Sequence, residues 1–276
     1  MKIKYDLVLI DVFAEDSVSR SHGYCSLKII QNQKHYKIKT IDISSKNDKK
    51  RTHNHILISE LSKLTNVDTK LICIPLSSKI KNDHLFLELY KLRNRGINII
   101  APYMNGFKGK SFPASYSIVQ GIKGMNFGDD RIFKKIEDIM YFNDTPTVFN
   151  KNEKFTYFSG NSKACSLASR YFIDKESRNS NSQNNNSCNF QINKFNIINT
   201  KKTIELLEEV TNKRISIAKN QIDDVPIYHK NIGINNGNIK KLLNMIWSLD
   251  IKTRQNGYLN LDDISTVSKL SQFIGD

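Results

Sequence analysis

Ser162 stands in the stretch YFSGNSKACSLASRYF (157–172), behind a glycine and at the head of an alanine-rich apolar run. A serine in that setting has two readings. It caps the helix that follows, or it is a nucleophile at a helix N-terminus. The second reading needs company elsewhere in the chain. A hydroxyl is a poor nucleophile until a neutral imidazole takes its proton. An aspartate must fix the imidazole's tautomer, and one amide donor aimed at the developing oxyanion is worth roughly 10²–10³ in rate. The residues upstream of Ser162 therefore decide between the two.

Those residues are placed by an alternation of strands and helices. YDLVLID (5–11) is a continuous apolar strand, and a helix begins near His22. HYKIKTIDI (35–43) is a second, alternating strand, and HILISELSKL (55–64) has helical spacing. KLICIPL (70–76) is a third strand, DHLFLELYKLRNRG (83–96) an amphipathic helix closed by Gly96, and INIIAPY (97–103) a fourth strand. Strands alternating with helices predict an α/β fold with a mainly parallel sheet covered on both faces. In such sheets ligands sit beyond the carboxyl ends of the strands. The first strand ends in Asp11, His22 lies in the first turn of the next helix with Gly23 behind it, and Asn105 follows the fourth strand. Each has a plainer reading: Asp11 as a turn former, His22 as a surface residue, and Asn105 before Gly106 as a turn dipeptide.

Four segments in chain order resemble the subtilase (subtilisin-like) serine peptidase family. VLIDVFAED is similar to that family's strand ending in the catalytic aspartate, and SHGYCSLKII to its His-Gly helix start. GINIIAPYMNGFKGKSFPASYSIVQGIKG resembles the strand, oxyanion asparagine and Pro-Ala-Ser-Tyr segment, and FSGNSKACSLASRYF the Gly-Thr-Ser-Met-Ala helix. The resemblance spans about residues 5–172, with Asn161 where threonine is common and Ser166 where proline is usual. It implies that Asp11 orients His22, that His22 is the general base, and that Ser162 attacks. It also implies that Asn105 with the Ser162 amide stabilises the oxyanion. Substrate would pair as an added strand with IPLSSK (74–79), giving Pro75, Leu76 and Ser77 as binding residues. Tyr103 and Met104 would form a pocket wall where small residues are expected, implying a shallow pocket for a small side chain. A second reading keeps this fold as a peptide- or partner-binding module that does not cut.

The composition bounds the rest. The chain has 276 residues and a formal net charge of +15. The charge invites a nucleic-acid reading, which is discounted: the bias towards Lys, Asn and Ile spreads charge without a recognisable reading motif, and a basic surface equally attracts acidic peptides. No apolar run approaches the ~20 residues of a membrane helix, and MKIKYDLVLIDVF is too short and punctuated for a signal peptide. A cytoplasmic chain acting on a peptide or protein, with no membrane partner, is expected. Its oligomeric state is left open. Cys25, Cys73, Cys165 and Cys188 lack CxxC spacing, so neither a zinc site nor a disulfide framework is expected. No cofactor and no metal are predicted.

Three segments are predicted: a catalytic domain over 1–175, a polar linker over 176–195 containing ESRNSNSQNNNSC, and a small helical accessory domain over 196–276. In the last of these Asp262 or Asp263 is the expected helix cap. The tail faintly resembles a carrier-protein helical bundle, but Asp263 occupies the position that would bear phosphopantetheine, so that cofactor is not expected. A compact peptidase joined to an accessory domain suggests processing of a particular peptide, as in peptide maturation.

Overall fold

Leu7, Val8, Leu9 and Ile10 are wholly buried, because the strand that carries them is covered on both faces. Side chains alternate along a strand, so Leu7 and Leu9 join one apolar cluster while Val8 and Ile10 join another. Full burial of each such side chain stabilises the fold by ~1.5–3 kcal/mol. A computed structural model of the chain describes residues 4–13, 21–32, 34–44, 53–127, 133–151, 154–179, 197–215, 225–249 and 257–275. The described residues divide into two compact units, the first of residues 1–145 and 158–183, the second of residues 146–157 and 184–276.

In the first unit, β1 (Lys4–Tyr5) pairs in parallel with β4 (Asp68–Thr69) at the margin. The main sheet holds β2 (Leu7–Asp11), β3 (Ile38–Asp42), β5 (Leu71–Cys73), β6 (Asn98–Pro102), β7 (Gln120–Met125), β8 (Phe133–Ile136) and β9 (Ile139–Asn143). Its order is β3-β2-β5-β6-β7-β9-β8. Every pairing is parallel except that of β8 with β9. The architecture is the α/β, mainly parallel one expected from the strand–helix alternation.

Helices cover both faces. On one side α2 (His53–Ser62) and α3 (Asp83–Asn94) bury Leu57, Leu61, Leu85, Leu89 and Leu92 against Val8, Ile10, Ile72 and Ile99. On the other, α1 (His22–Gln31) and α4 (Gly160–Asn179) pack Ile30, Ala164, Cys165 and Ala168 on Leu7, Leu9, Leu71 and Ile100. The small residues of α4 let its backbone come close to the sheet, and Cys73 and Cys165 bring their sulfurs to 3.7 Å. Local signals set the helix ends. Ser21 caps α1 by accepting from Tyr24 N at 3.2 Å, and Asn82 caps α3 by accepting from Leu85 N at 3.0 Å.

The second unit contains β10 (Thr147–Lys151), β11 (Lys154–Phe158, its last residue belonging to the first unit), α5 (Ile197–Thr211), α6 (Ile239–Leu249), β12 (Tyr258–Asn260) and α7 (Val267–Gly275). Leu206, Leu207, Leu242, Leu243, Ile246 and Leu270 form its core. Two details correct the sequence reading. The tail is not helical throughout, because Tyr258–Asn260 is a strand paired antiparallel with β10 in a three-stranded sheet of order β11-β10-β12. Asp262 and Asp263 lie in a 3-10 turn over Leu261–Ile264, and the cap of α7 is Thr266, whose Oγ1 accepts from Lys269 N at 3.2 Å. Residues 176–179 of the expected linker continue α4, and 180–195, with Cys188, lie outside the described residues.

Candidate active site

Asp11 is the last residue of β2 and is completely buried. Its carboxylate faces His22 Nδ1, with Oδ1 at 2.8 Å and Oδ2 at 2.9 Å. Two further donors fix it: Val12 N at 2.8 Å on Oδ1 and the Ser26 hydroxyl at 2.9 Å on Oδ2. A buried carboxylate must be paired or hydrogen-bonded to keep its charge, and here three partners share that task. The same negative charge is felt one turn along α1. Burial first, and Asp11 second, push the Cys25 thiol up to about 12.

His22 opens α1 with about a third of its side chain exposed. Its ring meets Phe158 edge-on, with centroids 5.2 Å apart. The glycine behind it has a packing reason. A Cβ on Gly23 would stand 2.7 Å from the Phe13 ring, and Gly23 N donates to Val12 O at 3.0 Å, so the turn from β2 into α1 closes tightly only without a side chain there.

Ser162 sits in the first turn of α4, and it is not a cap. Its hydroxyl donates to Pro75 O at 3.0 Å, beyond the end of β5. A capping oxygen would instead accept from a backbone N–H two or three residues on. Among the described residues no hydrogen bond joins Ser162 to His22. First-turn N–H groups lack intrahelical acceptors and carry the positive end of the helix dipole.

Asn105 follows β6, and its Oδ1 accepts from Asn161 N at 2.9 Å. Gly160, at φ +74, lies so close that a Cβ would meet the Asn105 amide at 2.9 Å. Both a left-handed backbone and that close approach require glycine here. Asn161 itself joins two strand ends: its Oδ1 accepts from Gly124 N at 2.6 Å and its Nδ2 donates to Tyr103 O at 2.7 Å.

The predicted residues thus fall into two directly bonded groups, Asp11 with His22 and Asn105 with the start of α4, while Ser162 bonds to Pro75. Of the other predicted binding residues, Leu76 N turns back to Ile74 O at 2.7 Å, and Ser77 is half-buried beside it. Tyr103 lies against Gly121 and beneath Lys123 Nζ, 4.8 Å from its ring centroid. Met104 N donates to the Ser111 hydroxyl at 3.0 Å. Ser26 and Phe158 escaped the sequence reading, in which Asn161 stood out only as a departure from threonine. Ser26 had a usable signal, since it lies one helical turn beyond His22 on the strand-facing side of α1.

The fold has a counterpart among solved structures. The prenylagaramide maturation protease PagA superposes with a TM-score of 0.51 at 13% identity, over 84% of this chain and 85% of that one. The fold is subtilisin-like. The self-cleaved protease domain of PatA aligns with a TM-score of 0.49 at 15% identity, over 64% of this chain and 84% of that one. No protein-family profile matches the sequence, and no curated protein matches it. In a subtilisin-like sheet the ends of β2, β5 and β6 carry Asp11, Pro75 and Asn105 at one edge, and α4 starts beside the last two. Among the described residues no group of three or more His, Cys, Asp or Glu side chains is placed to hold a metal ion. Nor is any described helix long and apolar enough to cross a membrane.

Proposed function

We propose that the chain is a serine peptidase that cuts a particular peptide or protein substrate, in the manner of a peptide-maturation enzyme. The observation that carries this reading is the fully buried Asp11 carboxylate, held by Ser26 and Val12 N and bonded to Nδ1 of a partly exposed His22. A carboxylate in that place fixes the proton on Nδ1 and leaves Nε2 as the free base.

In this mechanism His22 Nε2 removes the Ser162 proton as Oγ attacks the peptide carbonyl, and returns it to the leaving amine. Asp11 stabilises the imidazolium that forms between those steps. Ser162 Oγ must first leave Pro75 O, which a rotation about one side-chain bond accomplishes. Asn105 offers its Nδ2 to the oxyanion, because Asn161 N already occupies its Oδ1 and so orients the amide. Water then releases the acyl group by the same route.

The bond from Ser162 to Pro75 O favours the other reading, a peptide-binding module that does not cut. Labelling by a fluorophosphonate separates the two. Labelling of the wild-type chain that Ser162→Ala abolishes supports the peptidase. A folded wild-type chain that resists labelling supports the binder.

A further inference from the structure

We infer that the substrate is an acidic peptide, gripped by two lysine-bearing loops beside Ser162; the inference rests on the peptidase reading above. The first loop (75–82, PLSSKIKN) begins at Pro75, whose carbonyl accepts from Ser162. The second (103–112, YMNGFKGKSF) begins at Tyr103 and Asn105, both bonded to Asn161. A peptide whose carbonyl reaches Ser162 therefore lies against both loops.

The loops form one rim. Ser78 N donates to Phe112 O at 2.7 Å and Phe112 N to Ser78 O at 2.8 Å. Lys79 Nζ lies 4.9 Å from the Phe107 ring centroid. Neither loop contains a single Asp or Glu, yet together they hold Lys79, Lys81, Lys108 and Lys110. Lys81 pairs with Asp83 at 2.9 Å, but among the described residues Lys79, Lys108 and Lys110 meet no carboxylate. Between these cations Ile80 is 69% and Phe107 38% exposed.

Unpaired ammonium groups on a chain of net charge +15 attract and orient an anionic partner. The exposed Ile80 and Phe107 offer apolar contacts for the side chains between its charges. Glutamate or aspartate residues spaced along an extended peptide suit this mixture of cations and apolar surface at the point where a peptide carbonyl must arrive. The lysines set specificity and the rate of encounter, and the serine end of the site sets the chemistry.

The Ser162→Ala chain, which holds a peptide without cutting it, is titrated by fluorescence anisotropy with three labelled probes. They are a short glutamate-rich peptide, its glutamine counterpart, and a single-stranded oligonucleotide of matched charge. The glutamate peptide is expected to bind about tenfold more tightly than the glutamine peptide at low salt. The difference should vanish near ~1 M salt, where screening acts within roughly 3 Å. Adding Lys79→Glu, Lys108→Glu and Lys110→Glu together should abolish it. The milder pair Lys108→Gln and Lys110→Gln, should the triple change fail to fold, is expected to reduce it about threefold. Equal binding of the two peptides, or a preference that outlives these substitutions, overturns the inference. So does an oligonucleotide that binds more tightly than the glutamate peptide and is lost with the same lysines. Fluorophosphonate labelling of the wild-type chain is read separately. Acidic-peptide preference without labelling upholds the binding assignment and removes the peptidase, whereas labelling without preference does the reverse.

Discussion

The backbone N–H of Asn161 donates to Asn105 Oδ1 at 2.9 Å. That bond ties the first turn of α4 to the end of β6, and the Asn161 side chain extends the tie to Gly124 and Tyr103. Where subtilases commonly have threonine before the serine, this chain has a residue with both a donor and an acceptor, and it uses both.

Replacing Asn161 by alanine removes two hydrogen bonds, each contributing about 0.5–1.5 kcal/mol. Chemical denaturation is expected to show a loss of about 1–3 kcal/mol. The fluorophosphonate labelling rate should fall about tenfold, because the first turn of α4, whose Asn161 N still donates to Asn105, loses its side-chain tie to Gly124 and Tyr103. Asn161→Asp keeps the acceptor for Gly124 N but turns a carboxylate oxygen towards Tyr103 O, so its rate should fall at least as far as that of alanine. A wild-type rate in Asn161→Ala would remove any positioning role.

Asp11→Asn keeps the shape of the side chain but offers His22 the wrong hydrogen-bond pattern, and labelling is expected to drop by up to about 10⁴-fold. Ser26→Ala takes one donor from the buried carboxylate, a hydrogen bond to a charged group that contributes about 1.5–3 kcal/mol. Its labelling rate should fall less than that of Asp11→Asn. Comparable rates for Asp11→Asn and wild type would show that His22 is not oriented by this contact.

Far from the site, Lys34 Nζ reaches Asp174 at 2.7 Å and Tyr36 OH reaches it at 2.5 Å, fastening the segment after α1 to α4. Burial works to raise the Asp174 carboxyl, but hydrogen bonds from Lys34 and Tyr36, with the charges of Lys34 and Arg170, outweigh it and hold the group below its ordinary value. Since the folded value lies below the unfolded one, this contribution is full above the ordinary carboxylate range and is lost as pH falls through the folded value. Tyr36 behaves oppositely. Burial, then the hydrogen bond to Asp174, raise its phenol, so its contribution is present below the ordinary phenol value and is lost as pH rises towards the folded one. Thermal midpoints of wild type and Asp174→Asn should converge at acid pH and separate near neutrality. A constant gap across the range would contradict the assignment.

Cys25, Cys73 and Cys165 are free and buried, and burial pushes up the Cys25 and Cys165 thiols. Thiolate is the reactive form, so iodoacetamide at neutral pH should modify none of the three until denaturant unfolds the chain. Mass spectrometry of the native protein showing rapid modification at Cys25 would mean that α1 opens readily.

The local pattern foretold four strands of the main sheet and the helices that cover it, but none of the five described strands between Gln120 and Phe158. LVLI (7–10), LIC (71–73) and IIAP (99–102) are apolar without interruption because both faces of their strands are covered, and α3 announces itself by Asn82 at its start and leucines on one face. Tyr258–Asn260 went unforeseen because three residues carry too short a period to mark a strand; its pairing with β10, more than a hundred residues away, makes it one.

The order of Asp11, His22, Asn105 and Ser162 along the chain, and the strand ends and helix starts that bear them, belong to the sequence alone, since strand and helix periods are written in neighbouring residues. Only the tertiary structure decided which atoms meet. Pro75 receives the serine hydroxyl, Asn161 bonds to Asn105, Gly124 and Tyr103, and Ser26 shares Asp11 with His22, because hydrogen bonds act over about 3 Å, a scale on which separation along the chain says nothing.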